Sequence, residues 1–209
     1  MNRKKKPSPK TTRNRQRSIN LLLESVGGIL ASKSYSELNI TELTAFSRLN
    51  PKLIYLYFGG LDGLIEQYLH NKQQNLSPSQ KLSQNIALHP QHAADEDLFS
   101  LLETQLDELL HDNELKGILH WGLSSKNLKA MAALQKHEDT LHKALEVSKA
   151  NKNMANNFDP VAFALLAAGA TFLAIQSKNK ATSLFNIDLH NDDVRNQLKR
   201  VLERLLVNG

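Results

Sequence analysis

The sequence predicts an all-α protein built from two helical domains. Apolar residues recur every three or four positions along most of the chain, which is the spacing of one helix face. Glycine pairs and an Asn-Pro step divide this pattern into short helices near the N terminus. With 41% hydrophobic residues, the 209-residue chain can bury a sizeable core, and it has no cysteine for disulfide bonds. We predict an arm at residues 1–16, a domain of three to four helices at 17–74 and a helical bundle at 75–209.

The N-terminal arm is strongly basic. Residues 1–17 hold eight lysines and arginines and no acidic residue, so the net charge of +5 leaves −3 for the rest of the chain. Because the segment also contains two prolines and no apolar periodicity, residues 1–16 are predicted to be disordered and attracted to a polyanion. A terminus that merely keeps the protein soluble is the alternative.

No segment predicts secretion or a membrane span. The basic N terminus is not followed by an uninterrupted apolar stretch with a cleavage site. The longest apolar run, Val161 to Ile175, is shorter than the roughly 20 residues that cross a bilayer, which favours a buried helix. We therefore expect a cytoplasmic protein without a membrane partner.

The first two helices follow from periodicity and capping. Apolar residues between Ile19 and Leu30 mark one face of a helix that Gly27 and Gly28 weaken, so we expect a neighbour to pack closely there. A second helix is predicted from Thr41, whose hydroxyl can cap it, to about Arg48.

A third helix is predicted from Pro51 to Tyr57. Asn50 can cap it, and a proline in the first position has no amide hydrogen to leave unpaired. Gly59-Gly60 ends this helix, and a fourth helix spans residues 61–74. Two short helices about three residues apart, with a longer helix on either side, are the layout of a helix-turn-helix.

The third helix has an inner and an outer face. Ile54 and Phe58 are predicted to point to the core, which leaves Lys52, Tyr55 and Tyr57 outside with Leu53. Phenol hydroxyls reach phosphate oxygens, and ring edges contact thymine methyl groups, so this face suits a DNA groove. A short connecting helix with half-buried tyrosines is the alternative.

The stretch ITELTAFSRLNPKLIYLYFGGLDGLI resembles the N-terminal DNA-binding region of TetR-family transcriptional regulators, over about residues 17–70. Leu43 and Leu64 match family positions, and residues 54–58 match the family pattern Leu-Tyr-x-His/Tyr-Phe. The resemblance implies a DNA-facing third helix, with Tyr57 on phosphate. Together with the basic residues nearby, it predicts these DNA-binding residues: Arg15, Arg17, Thr41, Arg48, Asn50, Pro51, Lys52, Leu53, Tyr55, Tyr57 and Gly60.

Three positions depart from the family pattern. Thr44 replaces a small alanine, and Leu61 replaces a lysine. Arg48 stands where the family prefers glycine, so the turn must relax or accept a strained residue. Residues 18–76 carry a net charge of −1, so we expect the basic arm to supply much of the attraction to DNA.

The remainder of the chain is predicted to be a linker followed by a bundle. Residues 75–97 are polar and contain two prolines, which predicts a linker with at most one short helix. Periodicity then predicts five helices, at residues 98–110, 114–122, 128–150, 160–177 and 192–207.

The helix at 160–177 is apolar all round, so one side can serve the subunit's core while the other needs a partner. The last helix has a single apolar stripe. A symmetric homodimer contact of these two helices is also what the family resemblance implies. The predicted interface comprises Val161, Leu165, Ala168, Phe172, Ile175, Leu198, Val201, Leu202 and Leu205.

A small apolar effector is a further predicted partner, although an apolar bundle interior looks the same when it is only core. The candidate pocket walls are Phe99, Leu102, Leu119, Trp121, Met131, Leu134, Phe163 and Leu166. We identify no catalytic set and predict no enzyme, cofactor or metal site. His89 and His92 have no third ligand at useful spacing, and His137 and His142 are five apart, off the shared face of a two-histidine motif.

These features predict a sequence-specific DNA-binding transcriptional regulator, namely a dimeric repressor that binds a palindromic double-stranded operator and is released by a small-molecule effector. A ligand-independent DNA-binding regulator is one alternative. A peripheral membrane or scaffolding helical protein that uses the basic arm on anionic lipid is the other.

Overall fold

The computed structural model describes residues 9–74, 76–90, 95–124, 126–150, 160–177, 187–189 and 191–207. This part of the chain contains ten α-helices and no strand, which confirms the predicted all-α class. The helices are α1 (Pro9–Ser32), α2 (Ile40–Ser47), α3 (Lys52–Phe58), α4 (Leu61–Gln74), α5 (Pro78–Leu88), α6 (Asp95–His111), α7 (Asn113–Ser124), α8 (Leu128–Ala150), α9 (Pro160–Gln176) and α10 (Asp192–Val207). They form two compact units, one ending at Gln74 and the other beginning at residue 75.

Helix α1 is longer than its apolar stripe. It buries Leu22, Val26 and Ile29 completely against its neighbours. The helix begins at Pro9, so residues 9–16 are helical where the sequence predicts a disordered arm. The apolar stripe cannot locate this extension, because the side chains of residues 13–17 are exposed and a proline is tolerated in the first turn.

The N terminus of α2 is capped by Asn39 and not by Thr41. The Asn39 side-chain oxygen accepts a hydrogen bond from the Glu42 amide at 3.0 Å, and its backbone is extended, as a capping residue requires. Thr41 lies one residue inside the helix, where its side chain is exposed. The predicted cap was therefore wrong by two positions.

Gly28 lets α2 approach α1 closely. A Cβ atom at Gly28 would collide with the ring of Phe46 on α2. This confirms the expectation that a neighbour packs against the glycine pair of α1. The core of the N-terminal unit forms around this contact, with Leu43 and Ile54 fully buried.

Helix α5 occupies a segment that the sequence analysis assigned to a linker. Ser77 and Gln80 form a capping box: the Ser77 hydroxyl accepts from the Gln80 amide, and the Gln80 side chain accepts from the Ser77 amide. Ile86 is buried, and the helix packs against α6 and α8. This is the one short helix that the sequence analysis allowed in the segment, although its position was not predicted, because its short stripe includes buried serines, which look like loop residues.

The C-terminal unit has one main apolar core, formed by α6, α7, α8 and α9 with a contribution from α5. The largest fully buried apolar side chains there are Leu98, Leu101, Leu102 and Phe163. No helix in the described residues is long and apolar enough to cross a membrane.

Polar groups are also buried in this core. The Ser83 hydroxyl donates to the Thr140 carbonyl at 2.6 Å. Gln105 lies beside His137, with its side-chain nitrogen 3.1 Å from both the Nε2 atom and the carbonyl oxygen of that histidine. Burial lowers the pKa of His137 to about 4. This histidine is therefore neutral near pH 7.

Lys116 is a buried cation at the junction of α6 and α7. Its exposure is 1%, and its ammonium group donates to the Leu110 carbonyl at 3.0 Å. Burial lowers the pKa of Lys116, while the Asp112 carboxylate acts in the opposite direction. The bond satisfies a carbonyl at the C-terminal end of α6, where a helix attracts positive charge.

Candidate nucleic-acid interface

The turn between α2 and α3 is built from residues 48–50. Arg48 ends α2 in the left-handed conformation, with φ 56° and ψ 29°, and its amide donates to the Thr44 carbonyl at 2.9 Å. A glycine adopts this conformation at lower energy than an arginine does. The sequence analysis expected the turn either to relax or to accept a strained non-glycine residue, and the structure has the strained residue.

Asn50 begins α3 in the way that the sequence predicts. Its side-chain oxygen accepts from the Lys52 amide at 2.9 Å, and its carbonyl accepts from the Leu53 amide at 3.0 Å. Pro51 has helical dihedral angles, φ −56° and ψ −27°. These bonds fix where α3 starts relative to α2.

Glycines define the other end of α3. Gly59 and Gly60 both have positive φ, at 77° and 144°. A Cβ atom at Gly63 would collide with the Phe58 carbonyl oxygen, so α4 lies close against the end of α3. The orientation of α3 is therefore determined at both ends by short, residue-specific turns.

The faces of α3 largely match the prediction. Ile54 is fully buried and Phe58 is half-buried, whereas Lys52 is exposed and Tyr55 is 58% exposed. Leu56 is 70% exposed, and the sequence analysis did not assign it to the DNA-facing set. Its position four residues after Lys52 was the signal that could have identified it.

Tyr57 and Arg15 form a pair that sequence reasoning did not find. The guanidinium carbon of Arg15 on α1 lies 5.2 Å from the centre of the Tyr57 ring on α3. This distance is within the range of a cation–π interaction. It holds an exposed cation of α1 next to the phenol that the family resemblance places on phosphate.

The other predicted DNA-binding residues all lie in the N-terminal unit, on α1, α2, α3 and the adjoining turns. Those exposed to solvent are Arg15, Arg17, Thr41, Arg48, Asn50, Pro51, Lys52 and Tyr55. Leu53, Tyr57 and Gly60 are half-buried. Helix α1 contacts both α2 and α3, so the structure brings these elements together.

Lys33 is not part of this cationic set. Its ammonium group lies 2.5 Å from a Glu42 carboxylate oxygen and 3.7 Å from a Glu37 oxygen. The hydrogen bond to Glu42 is the main cause that raises the pKa of Lys33. Its charge is balanced by these two carboxylates, unlike the exposed arginines and lysine named above.

The predicted dimer residues divide into three groups. Val161, Leu165, Ala168 and Phe172 lie exposed on α9, and Val201 lies exposed on α10. Ile175 is 3% exposed within the subunit's own core, and Leu198 packs against the same core, so these two differ from the prediction. Ile175 shares the buried side of α9 with Ala170 and Ala174, and α9 contacts α6; Leu198 lies on α10, which also contacts α6. The side chains of Leu202 and Leu205 lie outside the described residues.

The predicted pocket residues lie mostly in the core. Leu102, Leu119, Trp121 and Phe163 are buried, while Phe99, Leu134 and Leu166 are partly buried against the core. Met131 is 45% exposed in the first turns of α8, so its place at the surface differs from the predicted pocket wall.

Phe99 lines a cavity between α6 and α10. The cavity has a volume of about 20 Å³ and is lined by Leu106, Leu110, Leu189 and Leu198 as well. Charged residues surround this apolar surface: Lys199 pairs with Glu103, and Arg195 lies 3.8 Å from an Asp107 oxygen. A second, more polar cleft of about 350 Å³ lies between α5 and α8 and includes none of the predicted pocket residues.

The remaining histidine predictions concern metal binding. His89 is exposed at the end of α5, and His92 lies outside the described residues. His142 is exposed on α8, unlike His137. Within the described residues, no group of three or more histidines and carboxylates is arranged to hold a metal ion.

No family model matches the sequence, and no curated protein does either. Solved structures do resemble this chain. One is described as a TetR-family transcriptional regulator from Rhodococcus sp., with 14% identity and a TM-score of 0.59, covering 91% of this chain and 99% of that one. A TetR-like transcriptional regulator from Rhodococcus sp. RHA1 has 15% identity and a TM-score of 0.58, covering 93% and 97%. Salmonella enterica GusR has 14% identity and a TM-score of 0.51, covering 91% and 95%.

The chain therefore has the fold of TetR-family transcriptional regulators. The similarity extends over both units and not only over the helix-turn-helix residues from which the resemblance was first inferred. The predicted resemblance and the predicted all-α architecture are confirmed at the level of the fold.

Proposed function

We propose that this protein is a sequence-specific DNA-binding transcriptional regulator that acts as a homodimer. The observation that carries the proposal is the outward face of α3, where Lys52 and Tyr55 are exposed on a helix fixed at both ends by specific turns. A rigid, exposed helix preceded by a short helix and a short turn is the geometry that enters a major groove.

The cations around α3 are expected to make two kinds of DNA contact, to phosphates and to bases. Arg15, Arg17 and Arg48 are exposed around α3, on α1 and in the turn after α2, which suits contacts to phosphates on either side of a groove. Lys52 lies on the face of α3 itself, where a lysine can donate to the O6 and N7 atoms of guanine. Phosphate contacts then supply affinity, and α3 supplies sequence preference.

Dimerisation through α9 and α10 would make the DNA site a palindrome. Val161, Leu165, Ala168 and Phe172 recur at helical spacing on α9, and all four are exposed in the single chain. Val201 on α10 adds to the same kind of surface, and α9 contacts α10. A two-fold axis through such a contact presents two copies of α3 to half-sites about 34 Å apart.

We infer further that the regulator is a repressor whose DNA complex is released by a small apolar effector. The apolar lining of leucines and a phenylalanine between α6 and α10 supports this. The space there is about 20 Å³, so an effector would have to displace these side chains to enter. An effector there would contact both a core helix and one of the proposed dimer helices. It could thereby favour a different spacing of the two α3 helices.

Selection of preferred duplexes from random DNA tests the main proposal. The full-length protein should enrich one inverted repeat, and Lys52→Ala should bind that repeat and a scrambled duplex with more nearly equal affinity. Enrichment of no sequence, together with tight binding to anionic vesicles, would instead support the peripheral membrane alternative.

The effector can be tested with a dye that fluoresces in apolar sites, 1-anilinonaphthalene-8-sulfonate. Wild-type protein should bind the dye, and an apolar compound that displaces the dye should also release DNA. Leu198→Phe should fill part of the cavity and weaken dye binding, whereas Leu128→Phe, on the exposed start of α8, serves as the control. Equal dye binding by both variants would contradict an effector site in the cavity between α6 and α10.

A further inference from the structure

The outward face of α3 has an apolar side chain at its centre. Leu56 is 70% exposed, and it follows Lys52 by four residues and Tyr55 by one. This spacing places the three side chains on one side of the helix, away from the buried Ile54. A single exposed leucine is ordinary on a protein surface. This one, however, lies next to a cation and a phenol on the helix that the proposed function places in the major groove.

We propose that Leu56 determines part of the sequence specificity by packing against the C5-methyl group of thymine. The inference rests on the proposed function and adds to it the identity of a base. The thymine methyl is the apolar group that a base pair presents in the major groove. Leucine has no hydrogen-bonding atom in its side chain, so this methyl is the base feature that it can recognise.

The other side chains of α3 limit which bases this helix can recognise in the half-site. Its sequence, KLIYLYF, contains no side-chain amide and no carboxylate. Bidentate recognition of adenine requires an amide, and recognition of cytosine requires an acceptor such as a carboxylate. Lys52 is the α3 residue that suits guanine, and it lies one helical turn from Leu56. The half-site read by α3 therefore contains a thymine close to a guanine.

Replacement of thymine by uracil isolates this contact, because deoxyuridine keeps the base pair and removes only the methyl group. Using the full-length protein and the duplex it selects from random DNA, each thymine of the half-site is replaced in turn. At one thymine, wild-type affinity should fall about fourfold for each half-site, which corresponds to one buried methyl group.

The Leu56→Ala variant should lose this sensitivity. It should bind the thymine and uracil duplexes with affinities that agree within about 1.5-fold, since no apolar contact with the methyl remains. Because Leu56 is exposed and alanine favours helices, the variant should fold normally. Leu128→Ala, which removes a side chain that is 79% exposed on α8, should keep the wild-type difference.

The outcomes separate the two proposals. Selection of a preferred duplex whose thymines are all insensitive to uracil, or a Leu56→Ala variant that keeps the full thymine preference, would overturn the role of Leu56 and leave the proposed function standing. Failure of the wild-type protein to select any duplex would overturn both.

Discussion

The two units of this protein fix their helices in different ways. In the N-terminal unit the buried hydroxyl of Ser25 bonds to Leu21 within its own helix, and the helix positions are set by turns. These turns use an asparagine cap, a left-handed Arg48 and the glycines that follow α3. In the C-terminal unit, buried polar side chains join different helices, as in the Ser83–Thr140 and Gln105–His137 contacts.

This difference relates to what each unit presents at its surface. Short turns place a small helix with a defined outward face, where Lys52 and Leu56 are exposed side by side. The C-terminal unit instead presents the long helix α9, which leaves an apolar face exposed, including Leu165 at 69% and Phe172 at 43%. A mixed face suits a polyanion with apolar methyl groups, whereas an apolar face suits a second copy of itself.

The largest effect is expected from placing a charge on the apolar face of α9. In the proposed dimer, Phe172→Glu buries a carboxylate without a partner, so the dimer dissociation constant should rise by about 100-fold or more. Sedimentation velocity at several protein concentrations measures this. Leu128→Glu adds the same charge at an exposed leucine of α8 and should leave the dimer intact. An intact, soluble Phe172→Glu dimer would show that this face of α9 is not part of the dimer interface.

Acid should destabilise the C-terminal unit through His137. Its pKa is about 4 in the folded protein and 6.5 in a model peptide, because burial disfavours the charged ring. The unfolded chain therefore binds the proton first as the pH falls. The stabilisation that the neutral His137 contributes is complete above pH 6.5 and is lost progressively down to pH 4. By pH 4.5 the free energy of unfolding has fallen by about 2.5 kcal/mol through this group.

Urea unfolding at pH 7 and pH 4.5 measures that loss. Trp121 is the single tryptophan and is buried in the C-terminal unit, so its fluorescence reports on this unit alone. His137→Gln cannot take up a proton in this range and should show a pH dependence smaller by about 2.5 kcal/mol. If wild type and variant lose stability in parallel, other groups cause the acid effect.

The contrast between local turns in one unit and bonds between distant helices in the other also explains which features the sequence could predict. The turn around Asn50-Pro51 and the end of α3 at Gly59-Gly60 use residues whose backbone preferences are strong, so both were predicted at the correct places. The Asn39 cap was missed because Thr41 is also a good capping residue two positions later. The position of α5 was not predicted because its buried serines are satisfied by partners on other helices, Glu108 and Thr140, that are distant in sequence.

The site was predictable to a similar depth. The exposed residues Lys52 and Tyr55 of α3 followed from helical spacing and the resemblance, but Leu56, which is 70% exposed, was not included among them. The pairing of Arg15 with Tyr57 depends on how α1 crosses α3, which no local pattern records. On α9, a helix that is apolar all round gives no periodic signal for its inner face, so the inward position of Ile175 required the packed structure.

Among the DNA-binding predictions, removal of the basic N terminus should have the largest effect. Deletion of residues 1–8 removes Arg3, Lys4, Lys5 and Lys6 and leaves α1 to begin at Pro9. The slope of log affinity against log salt should become shallower by about 2 to 6 for the dimer, at about 0.9 for each phosphate that the arm no longer neutralises. Replacement of the same four residues by glutamine should have the same effect if charge and not length matters. An unchanged slope would mean that the arm only keeps the protein soluble.

Arg48 should show opposite effects on stability and on DNA binding. Arg48→Gly relieves a left-handed conformation and should stabilise the N-terminal unit by about 1 kcal/mol. It also removes a cation, so the salt slope should fall by about 0.9 for each subunit. Amide hydrogen exchange in α2 and α3 and salt titration of one duplex measure the two effects. Arg48→Lys keeps the charge and should resemble wild type in both, and a loss of stability in Arg48→Gly would contradict the strain.

The smallest effect is expected for the contact between Arg15 and Tyr57. It tests whether packing in the N-terminal unit positions a cation. If the Tyr57 ring orients Arg15 towards phosphate, Arg15→Ala and Tyr57→Leu should be coupled by about 0.5 to 1 kcal/mol in DNA affinity. Tyr57→Phe keeps the ring and loses the hydroxyl, so it should weaken all duplexes about equally while leaving the Arg15 effect unchanged. A double-mutant cycle on one specific and one scrambled duplex measures both. Strictly additive losses for Arg15→Ala and Tyr57→Leu would mean that the ring covers the guanidinium without directing it.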